Sequence, residues 1–212
     1  MEQWEPSKVR TIIIAPHPDD ESLAVGGLIA ALTACEIQVQ VIAVTDGENA
    51  YADFPNLGSI RRGEQERALQ LLGVTTREIV RLGLPDSNVT AHEPELINAL
   101  SYLVTPQTHV VAPCPKDFHP DHEACGRAAK EVAEGPGAHL TFYLFWTWHR
   151  GTPALLRDLP LRLFQRSHDQ QRRKAQAIQQ HRSQLAHLSG QPILSDSLLW
   201  PAQLPFEPFL PQ

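Results

Sequence analysis

The sequence predicts an α/β fold: a mostly parallel sheet covered by helices on both faces. Three observations predict it. Short β-branched runs alternate along the chain with helical stretches of about 10–15 residues, the pattern of successive βαβ units. The first run, VRTIIIA at 9–15, is apolar at successive positions, as a strand buried on both faces must be. The 212 residues are 42% hydrophobic and 20% charged, enough to bury one sizeable core.

The elements follow in order. After the strand at 9–15 comes HPDDE, then SLAVGGLIAALTAC, a helix for which Ser22 is the expected cap. Gly26 and Gly27 are poor helix formers, and close packing of the helix on the sheet is the expected reason for them. IQVQVIAVT (37–45) reads as a second strand ending at Asp46-Gly47, and Ser59–Leu72 as an amphipathic helix stopped by Gly73. EIVRL (78–82) is a short strand, PELINALSYLV (94–104) a helix with Pro94 at its first position, and HVVAP (109–113) a fourth strand. DHEACGRAAKEVAE (121–134) is a helix ended by Gly135-Pro136-Gly137. HLTFYLFW (139–146) has strand composition, LPLRLFQ (159–165) that of an edge strand, and 168–188 is helical and rich in Gln, Arg and His. From Gln191 onward the chain holds five of its 18 prolines, so no long helix fits there; covering the sheet or capping a neighbouring subunit are the expected roles.

No repeat or linker divides the chain, so residues 1–212 are expected to form one domain with a Pro-rich C-terminal extension from about 191. A net charge of −6 excludes a protein that wraps nucleic-acid phosphate. The charge is uneven: 12 Lys and Arg against 21 Asp and Glu up to residue 160, then 6 against 3. A solvated basic helix face is the expected source of that step. Three cysteines, Cys35, Cys114 and Cys125, form no close pair, which excludes a disulfide scaffold and points to a reducing compartment. The start has no signal pattern and no apolar stretch approaches the ~20 residues of a membrane span. The expectation is a soluble cytoplasmic protein without nucleic-acid or membrane partners, its oligomeric state open.

Parallel sheets place their sites at the carboxyl ends of the strands. The four exits here are HPDDE, TDGEN, LPDS and PKDFHPDH, all rich in carboxylates or histidines. His17, Asp19, Asp20 and Glu21 thereby face His119, Asp121 and His122 across about a hundred residues of sequence. Each cluster alone is accounted for by a turn with a surface histidine or by helix N-terminal acids. Two such clusters at one sheet edge need neutralising, and a divalent cation does so economically. Two imidazoles and a carboxylate form a common catalytic zinc shell that leaves a position open for water. A tight loop can turn His17 and Asp20 inward together, and His122 can supply the third ligand from the opposite exit.

APHPDDESLAVGG, together with the later HPDH, resembles the PIG-L/LmbE-like de-N-acetylases. TDGE at 45–48, Arg61-x-x-Glu64 followed by Ala68 and LG at 72–73, LPDS at 84–87 and HRSQ at 181–184 fall in the family's order, so the likeness runs from Ile12 to about Gln184. The resemblance implies a Rossmann-like three-layer sandwich and a zinc-dependent enzyme that removes acetyl from N-acetylated sugars and related amides. It implies His17, Asp20 and His122 as metal ligands, Zn2+ or alternatively Fe2+ as the metal, and Asp19 as general base. His119 becomes the acid or oxyanion partner, oriented by Asp121. Arg61 and Asp86 fall near the substrate, Glu21 is a helix-start or supporting acid, and His181 is a positioning group.

The chemistry agrees with these roles. A zinc ion lowers the pKa of water toward about 7 and polarises the amide carbonyl. Asp19, next to a ligand in sequence, is placed to take the water's proton, and a protonated His119 to serve the oxyanion or the departing amine. The expected substrate is a small N-acetylglucosamine-type amide.

Other residues carry blander readings. Cys125 reads as a small buried thiol, and Gly26-Gly27 lack GxGxxG spacing. Trp146 and Trp148 read as core aromatics rather than a sugar platform. Ser22 and Ser183 lack a hydrolytic pattern, and His92, His109, His139, His149, His168 and His187 lack partner spacing. Two rival functions remain: a non-haem iron oxygenase, which uses the same donor types, and a metal-dependent sugar or nucleotide binder without catalysis. An Asp19 and His119 pair speaks against the second, since a binding site needs no base.

Overall fold

The computed structural model describes residues 2–51, 54–186 and 191–212. His187 lies outside them. The strands are β1 (Glu2–Gln3), β2 (Thr11–Ala15), β3 (Val39–Ala43), β4 (Ile79–Arg81), β5 (His109–Pro113), β6 (His139–Tyr143), β7 (Arg162–Gln165) and β8 (Phe206–Pro211). The α-helices are α1 (Asp20–Ala34), α2 (Leu57–Leu72), α3 (Glu93–Ser101), α4 (Pro120–Glu134), α5 (Trp146–Arg150), α6 (Pro153–Asp158), α7 (His168–Ile178), α8 (Arg182–Leu185) and α9 (Asp196–Leu199). The described strands form one mixed, mostly parallel sheet in the order β1-β7-β8-β6-β5-β2-β3-β4.

β2 is the axis of the sheet. It pairs parallel with β3 on one side and β5 on the other, so that Ile13 faces Val41 and Val111. Alternation sends Ile12 and Ile14 to the face covered by α3 and α4, against Leu96, Leu100 and Ala128. It sends Ile13 to the other face, where α1, α2 and α7 contribute Leu28, Leu69 and Ala177. Each fully buried isoleucine contributes roughly 1.5–3 kcal/mol of transfer free energy. The result is the expected three-layer, Rossmann-like sandwich. From β2 the chain moves outward to β3 and β4, then returns to place β5 and β6 on the opposite side. Strand order therefore reverses between β2 and β5, and their carboxyl ends open the crevice where such sheets bind ligands.

α1 breaks at Val25 (φ −129°, ψ 16°), which frees the amides that follow. Glu207 of β8 takes them up: the N–H groups of Gly27 and Leu28 donate to its two carboxylate oxygens at 2.7 and 2.9 Å. Lys174 Nζ lies 2.6 Å from the same carboxylate and Arg166 3.8 Å, all three side chains being buried. A Cβ at Gly27 would lie 2.2 Å from Arg166 Cδ, and one at Gly26 3.1 Å from Lys174 Cγ. The glycine pair therefore admits α7 and this ionic cluster rather than close sheet packing alone. The basic step in the sequence is correspondingly only in part a solvated face.

Four further expectations are corrected. Ser22 does not cap α1, which starts at Asp20; it lies buried inside the helix. The strand at 139–146 stops at Tyr143, and Trp146 opens α5 instead. The helix over 168–188 ends at Ile178 and resumes as α8, because the intervening turn buries His181. The last segment of the Pro-rich tail does not lie over the sheet: β8 enters it antiparallel between β6 and β7. Two prolines in a strand with partners on both sides contradict the usual restriction of proline to sheet edges. β7 consequently lies one strand inside the edge, which is the two-residue β1.

Glu207→Ala should cost about 3–5 kcal/mol in chemical denaturation, since it leaves two buried cations and two amides without their acceptor; a loss below about 1 kcal/mol would contradict the account. His109 provides a pH test. Burial pushes its imidazole down to about 4, below the ~6.5 of an unfolded chain. The unfolded state then binds the extra proton first, so this contribution is complete above pH ~6.5 and is lost as pH falls toward 4. The stability difference between wild type and His109→Gln should shrink over that interval.

Candidate metal centre and active site

Two loops meet at the β2/β5 crevice. After β2, the backbone N–H of His17 donates to Asp20 Oδ2 at 2.9 Å, folding the His-Pro-Asp-Asp turn so that ring and carboxylate share one side. After β5, the loop from Cys114 leads into α4, whose first turn carries Asp121 and His122. Asp20 Oδ2 lies 3.3 Å from His17 Nδ1 and 3.2 Å from His122 Nε2. The three expected ligands are thus brought together, and one donor atom of each lies within 4.8 Å of the others.

Several observations test the fit to a metal. Ligand bonds of about 2.0–2.2 Å in a tetrahedron separate donor atoms by about 3.3–3.6 Å, close to the distances found. His122 is fully buried, and its Nε2 has no hydrogen-bond partner. Its Nδ1 donates to Asp117 Oδ2 at 2.9 Å, and since a carboxylate only accepts, the neutral ring presents a bare lone pair at Nε2. His17 is arranged in the same way, with Nε2 3.1 Å from Asp121 Oδ2 and Nδ1 turned to Asp20. The residues fit a divalent cation.

The electrostatics point the same way. Burial opposes charge on all three groups, yet the carboxylates of Asp121, Asp20 and Asp86 hold His17 well above its ordinary value, and Asp20 with Asp117 raises His122 to about 9. Burial resists ionisation of Asp20, but the His122 and His17 rings hold it well below the usual carboxylate range. A dry cluster of acids binds protons on its imidazoles where it has no other cation.

Asp19 lines the pocket beside these groups, and burial together with the Asp20 charge pushes its carboxyl up to about 7. His119 also lines the pocket. Its Nδ1 accepts the backbone N–H of Asp121 at 3.3 Å, which leaves the ring proton on Nε2. The expectation that the Asp121 carboxylate orients His119 needs correcting. That carboxylate accepts from the backbone N–H groups of Ser87 and Val89 and holds His17, so the hydrogen bond to His119 comes from Asp121's amide, while its acid lies within 4.8 Å of the His119 ring and acts on it through charge alone. Burial, with the neighbouring His122 and His17, pushes His119 down to about 4.

Arg61 is buried beneath the pocket. Its guanidinium donates to the Gly47 carbonyl (2.8 Å) and to Gln184 Oε1 (2.7 Å), with Asp19 at 3.9 Å. Gly47 (φ +64°) is required here, since a Cβ would stand 2.2 Å from Arg61 Nη1. Asp86 lies 3.4 Å from His17 Nε2, is held by the Asn49 amide, and donates its own N–H to Glu48. Glu21 is buried under α2, where Gln65 donates to it, and burial raises it to about 8. His181 reaches Ser22 Oγ at 3.1 Å, away from the pocket. Ser183 donates to Glu64, and Gln184 donates to the Pro18 carbonyl. The two weak motifs Arg61-x-x-Glu64 and HRSQ therefore bind one another and brace the His-Pro-Asp turn. Cys125 is a buried core thiol, as expected.

The sequence reading missed Asp117. Its carboxylate holds His122 and also accepts the amides of Phe145, Trp146 and Thr147, capping α5. The only signal for it was its place in PKDFHPDH, five residues before His122. Also missed was Trp146, whose ring stacks on His119 at 5.7 Å. The pocket encloses about 150 Å³. A larger cavity of about 390 Å³, between α7 and residues 199–203, contains none of these groups.

Residues 12–133 match the PIG-L family, described as GlcNAc-PI de-N-acetylase. The chain belongs to that family. It is 32% identical over 142 residues to a 1D-myo-inositol 2-acetamido-2-deoxy-alpha-D-glucopyranoside deacetylase of Mycobacterium avium, covering 53% of this chain and 47% of the relative. It is 31% identical over 135 residues to a diacetylchitobiose deacetylase of Thermococcus kodakarensis, covering 60% and 50%. Among solved structures, N,N'-diacetylchitobiose deacetylase from Pyrococcus horikoshii superimposes with a TM-score of 0.67 at 25% identity, covering 84% of this chain and 71% of that one. The chain spans about half to three fifths of the length of the curated relatives it matches.

In this PIG-L family protein, Asp117→Asn should weaken Zn2+ binding about 10–100-fold in competition with a chelator, because an amide no longer fixes the His122 tautomer. Unchanged affinity would remove Asp117 from the metal centre and leave it a helix cap.

Proposed function

We propose that this protein is a metal-dependent hydrolase that removes the acetyl group from a small N-acetylated amine, an amino sugar of the N-acetylglucosamine type. The observation that carries the reading is the meeting of His17, Asp20 and His122 around one point, with Asp19 beside them at the pocket. The names of the relatives support the acetamido sugar. His17 Nδ1, Asp20 Oδ2 and His122 Nε2 would hold the metal, with Zn2+ favoured by the donor set and Fe2+ the alternative. When bound, such an ion supplies a Lewis acid for the carbonyl and an acidified water.

The remaining work falls to the chain. Asp19, whose carboxyl is pushed up by burial and the Asp20 charge, lines the pocket beside the proposed ligands and is placed to accept a proton from water. Arg61 limits that rise, its guanidinium lying 3.9 Å away. His119 holds its Nε2–H at the pocket, placed to donate a hydrogen bond to the developing oxyanion, and the proton for the departing amine returns from Asp19, which took it from the water. Trp146 stacks on that ring and fixes its plane. Asp86 lies at the pocket wall with carboxylate oxygens to offer a sugar hydroxyl. Membership of the PIG-L family weighs against the oxygenase reading. No described helix is long and apolar enough to cross a membrane.

Metal reconstitution with acetate release as readout tests the proposal. Asp19→Asn should lower kcat by about 10²–10⁴ and retain the metal. Asp20→Ala and His122→Ala should lose both metal and turnover. Full metal content and turnover in those two variants would refute the ligand set.

A further inference from the structure

The cavity of about 390 Å³ between α7 and residues 199–203 falls in the ~300–1,000 Å³ range of small-molecule sites. It shares no lining residue with the metal pocket: that pocket takes Ile193, Leu194 and Leu198 from the tail, and the cavity takes Leu199, Ala202 and Gln203. The ionisable groups that line the cavity, Arg166, His168 and Arg172, are all basic. Arg172 is exposed and already paired with Asp169. The group that lacks a partner is Arg166. Its side chain is 2% exposed, and its guanidinium offers five N–H donors. Among the described residues it makes one hydrogen bond, from Nη2 to the Ala202 carbonyl at 3.2 Å, and its buried Nε has no acceptor.

The charge of Arg166 is met as poorly as its donors. Glu207 is the acid beside it, but Oε1 lies 3.8 Å from Nη1, beyond hydrogen-bond reach. That same oxygen already accepts Lys174 Nζ at 2.6 Å and the Gly27 amide at 2.7 Å, and the other oxygen accepts the Leu28 amide. Two buried cations therefore share one carboxylate, and one positive charge is left over. A buried charge is stabilised when an anion pairs with it, and a guanidinium fork matches the oxygens of a carboxylate or a phosphate. The size of the surplus selects between the two. A carboxylate carries one negative charge and balances it; a phosphate monoester carries about −1.5 to −2 at neutral pH and would bury an excess. Ala175, Ile178, Leu199 and Ala202 line the same space and suit a hydrocarbon body.

We propose that this cavity is a second ligand site, which binds a small organic monocarboxylate with its carboxylate on Arg166 and its hydrocarbon body between α7 and residues 199–203. The test is calorimetry on the metal-loaded protein with 2-naphthoate, its neutral isostere 2-naphthamide and the dianion 2-naphthyl phosphate. The carboxylate should bind about tenfold or more tightly than the amide, and more tightly than the phosphate. Arg166→Gln should bring the carboxylate and the amide to within about threefold of each other. That variant also takes a cation from Glu207, so two milder changes carry the test independently. Ala175→Trp fills the cavity from α7, and Gln203→Glu supplies an internal carboxylate; both positions are exposed, and neither lies in the ionic cluster or the metal centre. Each should weaken 2-naphthoate binding about tenfold or more. Absence of saturable 2-naphthoate binding, equal affinity for carboxylate and amide, or tighter binding of the phosphate overturns the proposal. So does 2-naphthoate affinity that survives both Ala175→Trp and Gln203→Glu, which would assign the probe to the metal centre instead.

Discussion

The constraint on which the rest of this structure depends is the removal from water of two imidazoles and a carboxylate at the carboxyl ends of β2 and β5. Dry charges of this density survive only if each is paired, and the surrounding residues do that pairing. Asp117 takes the outer nitrogen of His122, Asp121 takes that of His17, and the His17 amide takes one oxygen of Asp20. At the centre the Nε2 of His122 makes no hydrogen bond and faces Asp20 Oδ2 at 3.2 Å. The pairing residues are themselves held by backbone amides from other loops, which makes the centre rigid before any ligand arrives. Two loop residues there, Ser87 and Phe118, take left-handed backbone at φ 65° and 60°. Neighbours hold both: the Ser87 amide is bound by Asp121, and the Phe118 carbonyl by Arg150.

A second buried ionic cluster connects the tail to the same site. Glu207 substitutes for the helical carbonyls lost at the Val25 break and neutralises Lys174. The first turn of α1, which carries Asp20, is thereby fixed relative to the second half of the helix. The C-terminal segment thus contributes twice, through β8 in the sheet and through residues 193–198 at the pocket.

Much of this was legible in the sequence. The β-branched runs at 11–15, 39–43 and 109–113 emerged within two residues of their expected bounds, because burial on both faces leaves little tolerance in composition. The strand exits named the groups that meet, because parallel topology sends every carboxyl end to one edge. The missing parts share a cause. Asp117, Glu207 and Gln184 act on partners 5 to 180 residues away, through contacts that leave no periodicity in the chain. β8 was hidden for a related reason: local rules read Pro208 and Pro211 as strand breakers, and the pairing energy from two neighbouring strands overrides them.

Composition and alternation by themselves determined the layer architecture, the parallel core of the sheet and the edge at which chemistry collects, since these follow from which residues must leave water. Only the tertiary structure decided which atoms face one another: that Asp121 supports His17 rather than His119's ring, that Asp117 sets the His122 tautomer, and that the tail closes the pocket with apolar side chains. The physical reason is one of range. Hydrophobic patterning is a local property of the chain, whereas hydrogen bonds and ion pairs in a dry site are directional and short, and are defined only once distant segments have been brought to contact.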